Sequence, residues 1–364
     1  MRFRYGQWKG GRWDDPDFRK ALLNLYHHLL LQSDGDVDEA LRNLERLGDY
    51  YGFFDENFSI EDFKKWLKQG DAIREVRPGR HQLTKKGERA IRQDSLNEIF
   101  GGLAKSAAGE HRIPHAGQSG DRLSETRPYN FGDPITEIDS IATLGNAIRR
   151  NGLDDIRIGE EDLEVYDTEH LTSCSTVLLL DISHSMVLYG EDRITPAKRV
   201  ALALTELITT RYPKDELHVV LFGDDAVVVP LAKLPYVGVG PYHTNTKAGL
   251  RMAQQLLNRR KHANKRVVMI TDGKPSAIFE HGRLYKNPFG LDPKIVNRTL
   301  DEAVACRRKG IVVTTFMVAD DPTLKQFVDR FTELNRGRAY YSDLENLGAY
   351  VLVDFMRNRR RRLR

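Results

Sequence analysis

The stretch LLLDISHSM, Leu178–Met186, decides how the rest of this chain is read. Three leucines run to Asp181, after which Ser183 and Ser185 alternate with Ile182 and His184. The continuous apolar run STVLLLD, residues 175–181, is the pattern of a strand buried on both faces of a parallel sheet. Its polar residues therefore fall at the carboxyl end of a strand, where open α/β sheets hold their ligands. Extended geometry sets Ser183 and Ser185 on one side and His184 on the other. A nucleophile, a phosphate-handling turn, a metal site and a helix cap are all compatible with such a beginning.

Downstream, strand and helix patterns alternate. TPAKRVALALTELITTRY reads as a helix with Pro196 in its first turn, and ELHVVLFG as a second buried strand. AVVVPL reads as an edge strand, because Pro230 could not sit in the middle of a ladder. A helix (NTKAGLRMAQQLLNRR), a strand (KRVVMIT), a helix ending at Gly310, a strand (IVVTTFMV) and two further helices around a short strand (RAYYS) complete the series. The fold class expected is α/β: a Rossmann-like, doubly wound, mostly parallel sheet covered on both faces.

Before this region the texture differs. Two amphipathic helices are expected over residues 16–52, and a third in SIEDFKKWLKQG, where Ser59 and Asp62 form a capping pair. Two extended pieces then flank the turn dipeptide Pro78-Gly79, and Thr84 caps a helix running to about Leu103. Helices followed by a small hairpin give this mainly helical part a winged-helix-like order. Its third helix carries as many acids as its face can neutralise and lacks a clear basic stripe, so a docking role is favoured over nucleic-acid binding. Residues 104–135 are rich in Gly, Ser, Pro and Ala without a sustained period. The expected organisation is a helical N-terminal domain (1–103), a linker and extended arm (104–165), the α/β domain (166–356) and an Arg-rich tail (357–364). His111 and His115 lie in the arm with no third ligand nearby and read as solvated.

The bulk numbers bound the function. With 364 residues, 40% hydrophobic and 30% charged, the chain can bury a substantial core, and a net charge of +4 implies no polyanion by itself. The two cysteines, Cys174 and Cys306, form no CxxC pair and read as reduced core thiols. No signal core and no membrane-length apolar run is present, so the expected location is the cytoplasm.

Collecting polar residues at strand ends adds Asp272, in VVMITDGKPS, and Thr244, in PYHTNTKAGL, to Asp181, Ser183 and Ser185. Two carboxylates and three hydroxyls without His or Cys suit a hard divalent ion, Mg²⁺, Mn²⁺ or Ca²⁺, rather than zinc, and Mg²⁺ keeps waters readily. A haloacid-dehalogenase-like phosphatase would need a second Asp where Ser183 stands. A serine hydrolase would need a G-x-S-x-G elbow, and ISHSM lacks both glycines. The residues as a set resemble the von Willebrand factor A (VWA) domain. Asp181-Ile-Ser183-His-Ser185 matches its D-x-S-x-S motif, Thr244 its separate threonine and Asp272 its second aspartate. His243 departs from the glycine that many members carry before that threonine.

The resemblance covers residues 170–355 and implies a metal-ion-dependent adhesion site. Ser183, Ser185 and Thr244 would touch the ion, with Asp181 and Asp272 acting directly or through water. More narrowly, the layout is similar to bacterial VWA proteins of the magnesium chelatase D-subunit-like and CoxE types, which commonly work with a MoxR-type AAA+ ATPase. That implies a non-enzymatic module binding a Glu or Asp of a partner protein. No G-x-x-x-x-G-K-[ST] occurs, so an ATPase would act in trans. The alternatives are a nucleic-acid-associated regulator using the winged-helix-like region and basic tail, and a non-catalytic subunit of a chelatase-like enzyme.

Overall fold

A computed structural model describes residues 15–54, 58–106, 122–129, 138–152, 157–168, 173–259, 264–272, 274–287, 289–318, 321–341, 344 and 346–359. His111, His115 and the last five residues of the basic tail lie outside them. The first helices are α1 (Pro16–Gln32), α2 (Val37–Tyr51) and α3 (Ile60–Gln69). Asp15 and Asp36 cap the first two, and Ser59 and Asp62 form the expected capping box on the third. The hairpin β1 (Ile73–Arg77) and β2 (Arg80–Leu83) turns at Pro78-Gly79, where Gly79 takes a φ of 74° that favours glycine. Helix α4 (Lys85–Ser106) follows.

Next come β3 (Arg122–Pro128), α5 (Ser140–Asn151) and β4 (Glu164–Thr168). The remaining elements are β5 (Cys174–Asp181), α6 (Ile194–Arg211), β6 (Glu216–Phe222), β7 (Ala226–Val229), α7 (Thr246–Asn258), β8 (Asn264–Thr271), β9 (Ala277–Glu280), β10 (Arg283–Lys286), α8 (Pro293–Arg308), β11 (Ile311–Met317), α9 (Pro322–Asn335), β12 (Arg338–Tyr341) and α10 (Leu347–Arg359).

Six of these strands form one sheet in the order β12-β11-β8-β5-β6-β7, with every pairing parallel except the edge strand β7. The expected mostly parallel α/β sheet is present, with β7 at the edge just before Pro230. The chain leaves β5 towards β6 and returns on the other side as β8, so neighbouring strands diverge in connectivity there. That is the topological switch point, where a crevice opens at the carboxyl ends. All eight residues of β5 are buried.

The described residues of 15–106 and 173–357 form one compact unit, and those of 122–168 belong to a second. This differs from the expected boundary at residue 103. Leu30, Leu41 and Phe63 of the N-terminal helices share a core with Leu178, Leu180, Leu204 and Phe355 on one face of the sheet. The cause is α6, which buries residues on every side from Ile194 to Ile208. A helix apolar all round must be covered all round, and α1 and α4 pack along it. The other face of the sheet is closed by α7, α8 and α9 around Val177, Val267 and Phe327.

At the joint lies Lys198 of α6, fully buried. Its Nζ donates to the carbonyl of Leu31, to Asp34 Oδ1 at 2.8 Å and to the carbonyl of Val237 at 2.8 Å.

The second unit corrects the expectation of a linker over 104–165. Its strands β3 and β4 pair antiparallel. Asp139 caps α5, and Thr143 Oγ1 accepts the Glu164 amide at 3.0 Å. Among the described residues no helix is long and apolar enough to cross a membrane.

Candidate functional site

The parallel register pairs Leu180 of β5 with Ile270 of β8, so Asp181 lies beside Thr271 and one residue short of Asp272. Adjacent strands thus deliver both aspartates to the same end of the sheet. Asp181 is fully buried and Asp272 is 3% exposed. Both oxygens of Asp181 are engaged. Oδ1 accepts the Ser183 amide at 2.9 Å, and Oδ2 accepts the Thr271 hydroxyl at 2.6 Å. Ser183 Oγ is 3.1 Å from Ser185 Oγ, and Ser185 is hydrogen-bonded in turn to the Asp272 carboxylate. Asp181, Ser183, Ser185 and Asp272 therefore form one connected chain of polar groups.

Thr244, 2% exposed, lies on the loop before α7, and no hydrogen bond among the described residues joins its side chain to the two aspartates or the two serines. Its amide donates to Ser276 Oγ at 2.9 Å, and its carbonyl accepts the amides of Ser276 and Ala277 at 2.9 and 3.2 Å. The loop after Asp272 thus holds Thr244 by its backbone. His184 N donates to the Tyr242 carbonyl at 3.0 Å, which ties the loop after β5 to the same segment. His243, the departure noted in the sequence, is held by Asp224, whose Oδ1 accepts its amide at 2.7 Å and lies 3.1 Å from Nδ1. Asp224 is thus a support for the threonine loop as well as a turn residue.

Four supports were not singled out in the sequence: Thr271, Ser276, Asn245 and Asp224 in this holding role. Asn245 is fully buried, caps α7 by accepting the Ala248 amide at 3.0 Å, and donates to the Asp224 carbonyl at 2.9 Å. A cap signal was present in HTNTKAG. Thr271 and Ser276 flank the TDG motif, but only the strand pairing reveals what they touch.

The electrostatics follow from burial. Desolvation pushes the Asp181 carboxyl up to about 7, with the Asp272 charge adding to the rise. Burial raises Asp272 as well, against hydrogen bonds from Ser185 and the Lys274 amide. Two buried carboxylates repel each other unless one is protonated or a cation lies between them. The donor set brought together, two carboxylates with the hydroxyls of Ser183 and Ser185, suits a hard oxygen-seeking divalent ion. Among the described residues no group of three or more His, Cys, Asp or Glu side chains is gathered for a metal.

A family model described as "Rv0959-like protein, vWA domain" matches residues 174–356, and one described as "Rv0959-like protein, third domain" matches residues 121–168. Uncharacterized proteins of Mycobacterium tuberculosis and Mycobacterium bovis are 36% identical over 292 residues. The match takes in 78% of this chain but 43% of theirs, so the chain spans less than half the length of these relatives. Among solved structures, the PilB minor pilin of Streptococcus sanguinis aligns with a TM-score of 0.41 and 15% identity, over 54% of this chain and 64% of that one. The vWF domain of the type V pili tip protein Mfa5 of Porphyromonas gingivalis aligns with a TM-score of 0.41 and 13% identity, over 53% and 98%.

Proposed function

Because the chain belongs to the Rv0959-like family and carries its vWA domain, we propose that it is a non-enzymatic module that captures a partner protein through a divalent cation. The observation that carries this reading is the polar chain Asp181–Ser183–Ser185–Asp272, buried but for the half-buried Ser185, at the switch point of the sheet. Ser183, Ser185, Thr244 and Asp272 would hold Mg²⁺ or, equally by donor chemistry, Mn²⁺. Asp181 has both oxygens occupied by Ser183 and Thr271, which favours an orienting role, in contact with the ion through water. Bound there, the ion supplies an oxygen-seeking centre that a Glu or Asp of a partner can complete. Ser276, Asn245 and Asp224 hold the Thr244 loop in place before the partner arrives, which lowers the ordering cost of binding.

By the resemblance to chelatase D-subunit-like and CoxE-type proteins, the partner is a MoxR-type AAA+ ATPase acting in assembly or in metal or cofactor insertion, in the cytoplasm. The test uses the full chain as bait in Mg²⁺ and in EDTA, with a purified MoxR-type AAA+ ATPase as prey. Retention in Mg²⁺, release in EDTA and no retention by Asp181→Ala is the expected result. Retention that ignores both EDTA and Asp181→Ala would overturn metal-dependent capture.

A further inference from the structure

The N-terminal hairpin carries a second surface, which the metal-dependent reading does not use. Between residues 74 and 89 stand Arg74, Arg77, Arg80, Lys85, Lys86 and Arg89, all exposed. Among the described residues none of these six makes an ion pair. The expectation against nucleic acid rested on the balance of charges on α3, whose lysines all have acidic partners. Lys64, Lys65 and Lys68 are bonded to Glu61, Asp62 and Glu75 at 2.5, 3.2 and 2.8 Å. The unneutralised charge lies next door, on the hairpin and the start of α4.

The hairpin sorts its charges by face. Ile73 pairs with Leu83 and Glu75 with His81, on the side that meets the core, where Asp38 of α2 holds His81 Nδ1 at 2.7 Å. Arg74 pairs with Gln82 on the outer side. An irregularity between Glu75 and Arg77 then sets Arg77 directly opposite Arg80. Like charges facing each other across a strand pair destabilise it, and an anion between them removes that cost.

The tip is also preorganised. Glu75 accepts the Gly79 amide at 3.0 Å and Lys68 Nζ at 2.8 Å. The hairpin's one carboxylate is thereby engaged by Lys68 and the turn, and the charges it leaves unpaired on the hairpin are all cationic.

We propose that this face, with the first turns of α4, binds the phosphate backbone of a nucleic-acid duplex. Two opposed arginines and a row of flanking cations match a repeating line of phosphates, the part of a duplex that carries no sequence. Binding is therefore sequence-independent and strongly salt-dependent, and it does not involve the cation site.

The experiment is fluorescence anisotropy of a mixed-sequence DNA duplex with the full chain, titrated at several salt concentrations. With about four to six phosphates neutralised, the affinity falls with salt at a log–log slope of about −4 to −5. The Arg77→Glu/Arg80→Glu variant, folded by circular dichroism, should lose at least roughly tenfold in affinity and about two in slope. EDTA and Asp181→Ala should leave binding unchanged, which separates this surface from the capture site. Three results would each overturn the proposal. They are unaltered binding by the double variant, loss of binding on removal of the Arg-rich tail alone, and binding to anionic vesicles but not to duplex.

Discussion

Asp181→Asn and Asp272→Asn should each make the cation-free protein more stable above pH 7, while abolishing any stabilisation by Mg²⁺. The reason is the buried carboxylate pair. Burial, with the Asp272 charge beside it, holds the Asp181 carboxyl well above the value of about 4 it has when unfolded. Between the unfolded and folded values the folded state holds the extra proton, so stability without a cation falls as the pH rises through this window. Above pH 7 the ionised carboxylate destabilises the fold, because it is desolvated and faces the Asp272 charge. A neutral amide of the same shape removes that burden. Metal binding runs the other way. Both carboxylates must ionise, so Mg²⁺ affinity should rise from pH 5 to pH 7 and level off. At a hundredfold excess over Kd, Mg²⁺ adds about 2.7 kcal/mol to the wild type and nothing to either variant. Thermal unfolding across pH with Mg²⁺ or EDTA reads both effects. Amide variants that are less stable than wild type in EDTA at pH 8 would show that the pair is not under repulsion.

Lys198→Met is expected to cost about 2–4 kcal/mol in urea unfolding, more than a surface lysine on a helix would. The methionine fills the same volume but leaves the Leu31 and Val237 carbonyls without their donor. Asp34 contributes less, because its side chain is half exposed and water can replace the lysine there. Burial holds the Lys198 pKa below its ordinary value, with Asp34 opposing that shift. Since this ammonium joins the end of α1 to the segment leading to Thr244, the variant should also weaken Mg²⁺ binding. A stability change under about 0.5 kcal/mol would show that the joint is held by apolar packing alone.

The parts of the fold that could be read from sequence are those with a strong period. STVLLLD, ELHVVLFG and KRVVMIT are apolar runs of strand length between helix patterns, and Pro230 marked the edge. The three motif segments of the candidate site were visible for the same reason, since each ends a strand or opens a helix. What was not legible depends on partners distant in sequence. TPAKRVALAL reads as a helix, but nothing in its pattern marks Lys198 as enclosed; its burial depends on the N-terminal helices that pack along α6.

The hairpin β9–β10, directly after the TDG motif, was also not legible. Its strands have four residues each, and its turn places His281 at a φ of 47°, a left-handed conformation in which glycine is the usual signal. Strand β3 lies beside a stretch rich in Gly, Ser and Pro, whose composition outweighed a seven-residue pattern.

The most direct measurement is a calorimetric titration of Mg²⁺ into the EDTA-stripped and dialysed full chain at pH 8. One site per chain should appear, absent from Ser183→Ala/Ser185→Ala and from Asp272→Asn, with a peptide bearing a single Glu from the partner binding only once that site is filled. Equal Mg²⁺ uptake by the wild type and these variants, or peptide binding that persists in EDTA, would contradict capture through the metal.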